Sequence, residues 1–185
     1  MTLRVLTVCT GNICRSPAAA AMLNAALPGV VEATSAGTRS VRDSDMEPHI
    51  RQLLVSRGIT PDPHRAHTVT ERELDGIDLV LTMTTDQRGA VAELNPMAVR
   101  RSFTLKEFAR IAVDLVDSGR VQWQAHDEPE ERLRQMVEPA SRYRGRSFTG
   151  DDDVKDPYGG TQTDYEQAIV QIEQAVETIR RTFLE

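Results

Sequence analysis

The chain has 185 residues, 39% of them hydrophobic and 27% charged, which suits one soluble domain able to bury a core. A formal net charge of −6 argues against a nucleic-acid partner. No apolar run nears the roughly 20 residues that span a bilayer, the opening MTLRVLTV is too short and strand-like for a signal peptide, and two cysteines make no disulfide framework, so the expected setting is the cytoplasm with both thiols reduced.

The first predicted element is a buried strand, Leu3 to Val8, short, apolar and β-branched. Ser16 as N-cap and Pro17 at the first helical position predict a helix running on through Ala18 to Leu27, ended by Pro28 and Gly29. VVEATSAGT is a second strand with a turn. Glu47 to Arg57 reads as helix with Gly58 as its stop, and DLVLTM, Asp78 to Met83, as another buried strand. A helix to about Leu94, a short strand in SFTL and a helix in KEFARIAVDLVDSG follow. EPEERLRQMVEP suits a short helix; ASRYRGRSFTGDDDVK has no period and much charge, as a loop does. From Thr163 the periodicity returns, with Tyr165, Ala168, Ile169, Ile172, Val176, Ile179 and Phe183 on one face and Thr163 with Glu166 as a capping box. There are no internal repeats and no linker. Alternating strands and helices predict a doubly wound α/β fold with a parallel sheet.

In such a sheet, ligands bind beyond the carboxyl ends of the strands. The turn CTGNICRSP sits there, between the first strand and its helix. A loop feeding a helix N-terminus turns several main-chain N–H groups toward an anion. Gly11 and Asn12 tolerate left-handed backbone and let the loop curl. Arg15 offers a planar fork that matches two phosphate oxygens. Cys9 lies beneath the anion, and the field that binds phosphate also stabilises a thiolate. The pattern describes an anion cradle with a nucleophile at its base.

VCTGNICRSP resembles the phosphate loop of the low-molecular-weight protein tyrosine phosphatases. The resemblance extends to SAGT (Ser35 to Thr38), GITPDPHRAH (Gly58 to His67), DLVLTMT (Asp78 to Thr84) and DPYGG (Asp156 to Gly160). It covers Leu3 to Phe108 and Val154 to Phe183 and implies a four-stranded parallel sheet flanked by helices, with the phosphate-binding loop after the first strand. Residues 109–153 depart from the pattern and form an atypical insert in what reads as a single domain over 1–185.

The resemblance also implies roles. Cys9 attacks phosphorus and becomes a cysteinyl-phosphate. Arg15 and the loop amides, from Thr10, Gly11, Asn12, Ile13 and Cys14, bind the equatorial oxygens, with Asn12 bracing the loop. Ser16 hydrogen-bonds the Cys9 sulfur and helps it leave. Asp156 acts as general acid and then base; Asp151, Asp152 and Asp153 stand nearby as alternatives. No cofactor is expected, and no metal is needed where loop and Arg15 neutralise the dianion. A zinc site of Cys9, Cys14, His64 and His67 would leave Gly-Asn and Arg-Ser-Pro without a purpose, so His64 reads as a structural hydrogen-bonder. In the family a cysteine at the position of Cys14 can form a reversible disulfide with the nucleophile; the other reading is a small buried filler.

The expected partner is a phosphorylated protein, with phosphate or other oxyanions held in the site and neither nucleic acid nor membrane. Phosphotyrosine is the first expectation, with Val41 and Tyr158 as candidate walls. Thr10, SFTLKEF and DPYGG also resemble the protein-arginine phosphatase branch, where a threonine beside the nucleophile is associated with phosphoarginine preference. Arsenate reduction through three cysteines is excluded, because no cysteine follows Cys14; a version using an external small thiol stays open.

Overall fold

The computed structural model describes residues 2–124, 126–145 and 151–185. Four parallel strands form one sheet in the order β2-β1-β3-β4: β1 (Leu3–Cys9), β2 (Val31–Gly37), β3 (Leu79–Thr82) and β4 (Ser102–Thr104). The helices are α1 (Arg15–Ala26), α2 (Pro48–Val55), α3 (Glu71–Asp75), α4 (Thr85–Leu94), α5 (Leu105–Asp117), α6 (Pro129–Tyr143) and α7 (Gln162–Leu184), with a 3-10 segment at Pro96–Arg101. The predicted doubly wound α/β fold is therefore the observed one.

The two-residue period of β1 serves both faces of the sheet. Leu3, Val5 and Cys9 join the larger apolar cluster, built with α1, α5 and α7, whereas Leu6 and Val8 join a smaller one with Leu74 of α3, Val91 of α4 and Ala98. In β3, Leu79 and Leu81 face the first cluster and Val80 the second. This two-sided burial is why both strands read as continuous apolar runs. Tyr165, Ala168, Ile169, Ile172, Val176, Ile179 and Phe183 of α7 are all buried, as their spacing predicts. Among the described residues, no helix is long and apolar enough to cross a membrane.

Three boundaries differ from expectation for physical reasons. The first helix begins at Arg15 with Cys14 at its N-cap position and no side-chain cap; Ser16 lies inside the helix, because its hydroxyl is taken by other partners. The capping box of α7 is Thr161 with Asp164, not Thr163 with Glu166: Thr161 N donates to Asp164 Oδ2 at 2.8 Å, a reach that the shorter acid manages as well as glutamate. Helix α6 continues through Pro139 to Tyr143, where a stop at the proline was expected. Leu133, Met136 and Ala140 lie on one buried face, and that burial outweighs the one hydrogen bond a proline cannot donate. The α3 helix and the 3-10 segment have no counterpart in the predicted elements.

Residues 151–153 are tied down by charge. Asp152, 6% exposed, takes a fork from Arg110, whose Nη2 lies 3.0 and 2.9 Å from its two oxygens. Its carbonyl accepts from Thr104 Oγ1 at 2.8 Å. Asp153 Oδ1 accepts from Thr85 N at 2.8 Å, and Asp151 pairs with Lys106. Replacing Arg110 by methionine keeps the apolar stem but leaves Asp152 buried without its cation. The expected loss is about 3 kcal/mol of stability, read from the urea midpoint. A midpoint that does not move would mean that the pair adds nothing beyond packing.

Candidate active site

Strand β1 has β2 on one side and β3 on the other, and β2 and β3 follow it in the chain. Its carboxyl end is therefore the topological switch point of the sheet, the place where such folds bind ligands. Residues 10–14 leave β1 there and close on the first turn of α1. Asn12 carries the loop's left-handed turn, at φ 57°; Gly11, expected to share it, does not adopt positive φ. The asparagine can hold this conformation because its side chain is fully committed. Asn12 Nδ2 donates to Ser16 Oγ at 3.1 Å and Ser35 Oγ at 2.9 Å, and Oδ1 accepts from His67 N at 3.0 Å. His64 Nε2 lies 2.6 Å from the Asn12 carbonyl, and His67 Nε2 lies 3.0 Å from Glu73. The two histidines thus brace the loop and its flank.

Gly37, at the end of β2, meets the loop from behind. A Cβ there would stand 2.6 Å from the Thr10 carbonyl and 3.2 Å from Asn12 N, so only glycine permits this approach. Gly37→Ala is expected to shift the loop and lower kcat by roughly 10²-fold while the chain stays folded. Steady-state kinetics beside circular dichroism checks this; wild-type kcat would show that the loop can give way freely.

The sulfur of Cys9, 2% exposed, accepts from Asn12 N at 3.3 Å and lies 3.0 Å from Ser16 Oγ. The Ser16 hydroxyl also reaches the Ala36 carbonyl at 3.2 Å. It has one proton and two acceptors. When the sulfur is a thiol, its S–H can donate to Ser16 and the serine to Ala36. When the sulfur is charged, the serine proton serves it instead. Burial pushes the Cys14 thiol up to about 12, with Cys9, Glu47 and Asp156 adding to the effect. Cys14 thus stays protonated at neutral pH, and Cys9 is the sulfur placed among donors. The side chains of Ile13 and Cys14 belong to the apolar core, so their part in the cradle is limited to the main chain.

Arg15, 3% exposed, reaches across the cradle to the far end of the chain. Nη1 donates to the Val154 carbonyl at 2.9 Å and Nη2 pairs with Asp156 Oδ2 at 2.6 Å. Nε is buried without a partner among the described residues. A buried guanidinium N–H with no acceptor is what an incoming oxyanion would satisfy. Asp156 is half exposed, and Tyr158 N donates to its Oδ1 at 3.2 Å, an Asx turn that holds the carboxylate at the mouth. Asp151, Asp152 and Asp153 are engaged in the contacts described above, and only Asp156 meets Arg15. Val41 stands beside the loop, its N donating to the Gly11 carbonyl at 2.9 Å, and both Val41 and Tyr158 are exposed. A cleft of about 560 Å³ opens next to Arg15 and Asp156, bordered by Thr10, Gln87, Asp86 and Asp153.

Comparison with known proteins fits this geometry. The family model for low molecular weight phosphotyrosine protein phosphatase matches residues 4–120. The chain belongs to this family. It is a cysteine-dependent phosphatase of the low-molecular-weight type. It is similar to a protein-arginine-phosphatase of Geobacillus stearothermophilus, 41% identical over 109 residues that cover 58% of this chain and 72% of the relative. It is also similar to the probable low molecular weight protein-tyrosine-phosphatase EpsP of Ralstonia nicotianae, 33% identical over 134 residues that cover 72% and 90%. Among solved structures, the YwlE arginine phosphatase of Geobacillus stearothermophilus superposes with a TM-score of 0.69 at 30% identity, covering 97% of this chain and 91% of that one. Helix α6 of this phosphatase lies beyond the matched span of the family model.

Sequence reasoning overlooked four contributors to the site. The Val154 carbonyl on Arg15 carries no motif, and Ser35 stands in SAGT without any sign that its hydroxyl meets Asn12. Gly37 was visible in SAGT, but its contact distance was not. Gln87 was hidden in a helix start, where it completes the capping box of Thr84 and also donates to Thr10 Oγ1 at 3.1 Å.

Proposed function

We propose that this chain hydrolyses phosphotyrosine in proteins through a phosphocysteine formed on Cys9. The observation that carries the reading is the Arg15–Asp156 contact at 2.6 Å, which holds an acid at the fork that would grip the phosphoryl group, above the Cys9 loop. In the first step the Cys9 thiolate attacks phosphorus, the bond to the tyrosine oxygen breaks, and Asp156 gives that oxygen its proton. Arg15 and the loop amides hold the three equatorial oxygens as charge spreads over them. In the second step Asp156 takes a proton from water, the water attacks phosphorus, and the sulfur leaves as a thiolate stabilised by the Ser16 hydroxyl and Asn12 N–H. Val41 and Tyr158, both exposed beside the loop, offer apolar faces that a substrate ring would cover. The chain is read as one catalytic domain, with α6 an elaboration whose Leu133, Met136 and Ala140 enter the same apolar cluster as α5 and α7. A reducing compartment such as the cytoplasm suits a thiol nucleophile.

Phosphoarginine is the second reading. The carboxylates of Asp86 and Asp153 border the cleft beside Thr10, where they suit a guanidinium, and relatives with arginine-phosphatase names support it. The matched proteins described above carry phosphatase names, which sets arsenate reduction aside. The test compares kcat/KM on peptides carrying phosphotyrosine, phosphoarginine and phosphoserine. The phosphotyrosine peptide is expected to lead; a lead for phosphoarginine would exchange the two readings, and a lead for phosphoserine would sink both.

A further inference from the structure

The amino ends of β1 and β3, opposite the Cys9 loop, border a second cavity of about 800 Å³, larger than the cleft beside Arg15. It touches Leu3, the first of the seven residues of β1, so about 20 Å of strand separates it from Cys9. One wall is the 3-10 segment. Another is α6, which lies beyond the matched span of the family model. Arg134, Val137, Glu138, Ser141 and Arg142 line the cavity, and their spacing puts them on one face of α6.

Charge is laid out lengthwise here. Arg134 and Arg142 stand about 12 Å apart along the axis of α6. Val137 lies between them, and Met97 and Ile77 extend the apolar surface. Each acid on the lining already has a partner in the protein. Asp75 accepts from Asn95, Asp78 from Arg4 N and Arg134, and Glu138 from Arg142. Arg101 is fixed to the main-chain carbonyls of Met97 and Leu74, whereas the Arg100 guanidinium has no hydrogen bond or ion pair among the described residues. The Arg142–Glu138 pair is more than three-quarters exposed on both sides, so it is weak and an incoming anion can replace the glutamate.

We propose that this cavity binds an elongated small molecule with an oxyanion at each end and an apolar body between. A guanidinium fork takes a carboxylate or phosphate at either end of the α6 face, and the apolar stretch around Val137 covers the middle. A small anion can meet one end but not both. The volume suits a ligand of metabolite size. The whole chain carries a net charge of −6, so long-range charge opposes a dianion, and a preference for one is a local property of this cavity.

Decanedioate is a suitable probe, because its two carboxylates reach a similar distance apart when the chain is extended. Calorimetry on the full chain at low salt should show it binding about fivefold more tightly than decanoate, which carries one carboxylate on the same chain. It should also bind more tightly than butanedioate, whose two carboxylates are too close together. Arg142→Gln should lower decanedioate affinity to that of decanoate for the wild-type protein, and Arg134→Gln should do the same. Amide NMR shifts on adding decanedioate should concentrate in residues 97–101 and 134–142, with residues 10–14 unmoved. Arg142 is exposed, so its replacement leaves the fold intact, and it decides alone if Arg134→Gln does not fold. No binding of decanedioate, equal affinity for decanedioate and decanoate, or an unchanged affinity in Arg142→Gln would overturn the proposal. Shifts confined to residues 10–14 would overturn it too, because they would place the diacid in the Cys9 loop.

Discussion

Cys9→Ser is expected to lose phosphatase activity by roughly 10⁴-fold or more, with the fold and phosphate binding kept. Serine is nearly isosteric, and the donors around the cysteine sulfur, Asn12 N–H and the Ser16 hydroxyl, are ones a hydroxyl can use equally well. The buried position at the end of β1 therefore loses little packing. The change is chemical: a hydroxyl stays protonated where a thiolate would form, and it is a poor leaving group from phosphorus in the second step. Arg15 and the loop amides are untouched, so calorimetry should still find phosphate bound. Turnover of para-nitrophenyl phosphate by Cys9→Ser at near wild-type rate would falsify the assignment of the nucleophile.

Asp156→Ala is expected to lower kcat by roughly 10²–10⁴-fold on phosphotyrosine peptide, and by much less on an activated aryl phosphate. A phenol leaving group needs a proton as it departs, and an acidic nitrophenol does not. The same substitution has a second effect, which follows from the 2.6 Å contact with Arg15. The carboxylate competes with phosphate for the guanidinium, so its removal frees a donor and should tighten inhibition by inorganic phosphate. Asp156→Asn separates the two effects, because it keeps the hydrogen-bonding shape and removes the proton. An equal loss on both substrate classes, with no change in phosphate inhibition, would give Asp156 a structural role instead.

The parts of the molecule legible in its sequence were those set by local chemistry. Two-sided burial makes β1 and β3 continuous apolar runs, and the seven inward residues of α7 repeat at helical spacing. Cys9 and Ser16 fall within one short turn, so their contact follows from the turn itself. Less legible was anything decided by distance in space. Pro139 reads as a stop, but the burial of Met136 and Ala140 carries α6 past it. The three aspartates before Val154 read as candidate acids, whereas Arg110, Thr85 and Lys106 engage them as anchors. Gln87 reads as an ordinary helix-start residue, because nothing local says that its nitrogen faces Thr10. Gly11 beside Asn12 suggests a shared left-handed turn, and only the geometry shows that Asn12 supplies it.

The contact between Arg15 and the Val154 carbonyl joins residues 139 positions apart. Closing so long a loop is among the costliest steps in reaching the native chain, and contacts of that separation tend to form late. The anion cradle needs only the turn between β1 and α1 with its braces from β2, His64 and His67, so it can be complete while the acid is still elsewhere. A refolding chain should therefore gain phosphate binding before it gains turnover. The order of events follows from the wiring of the chain: the anion cradle and its braces lie within residues 9–67, and the proposed acid lies in the segment that leads into α7.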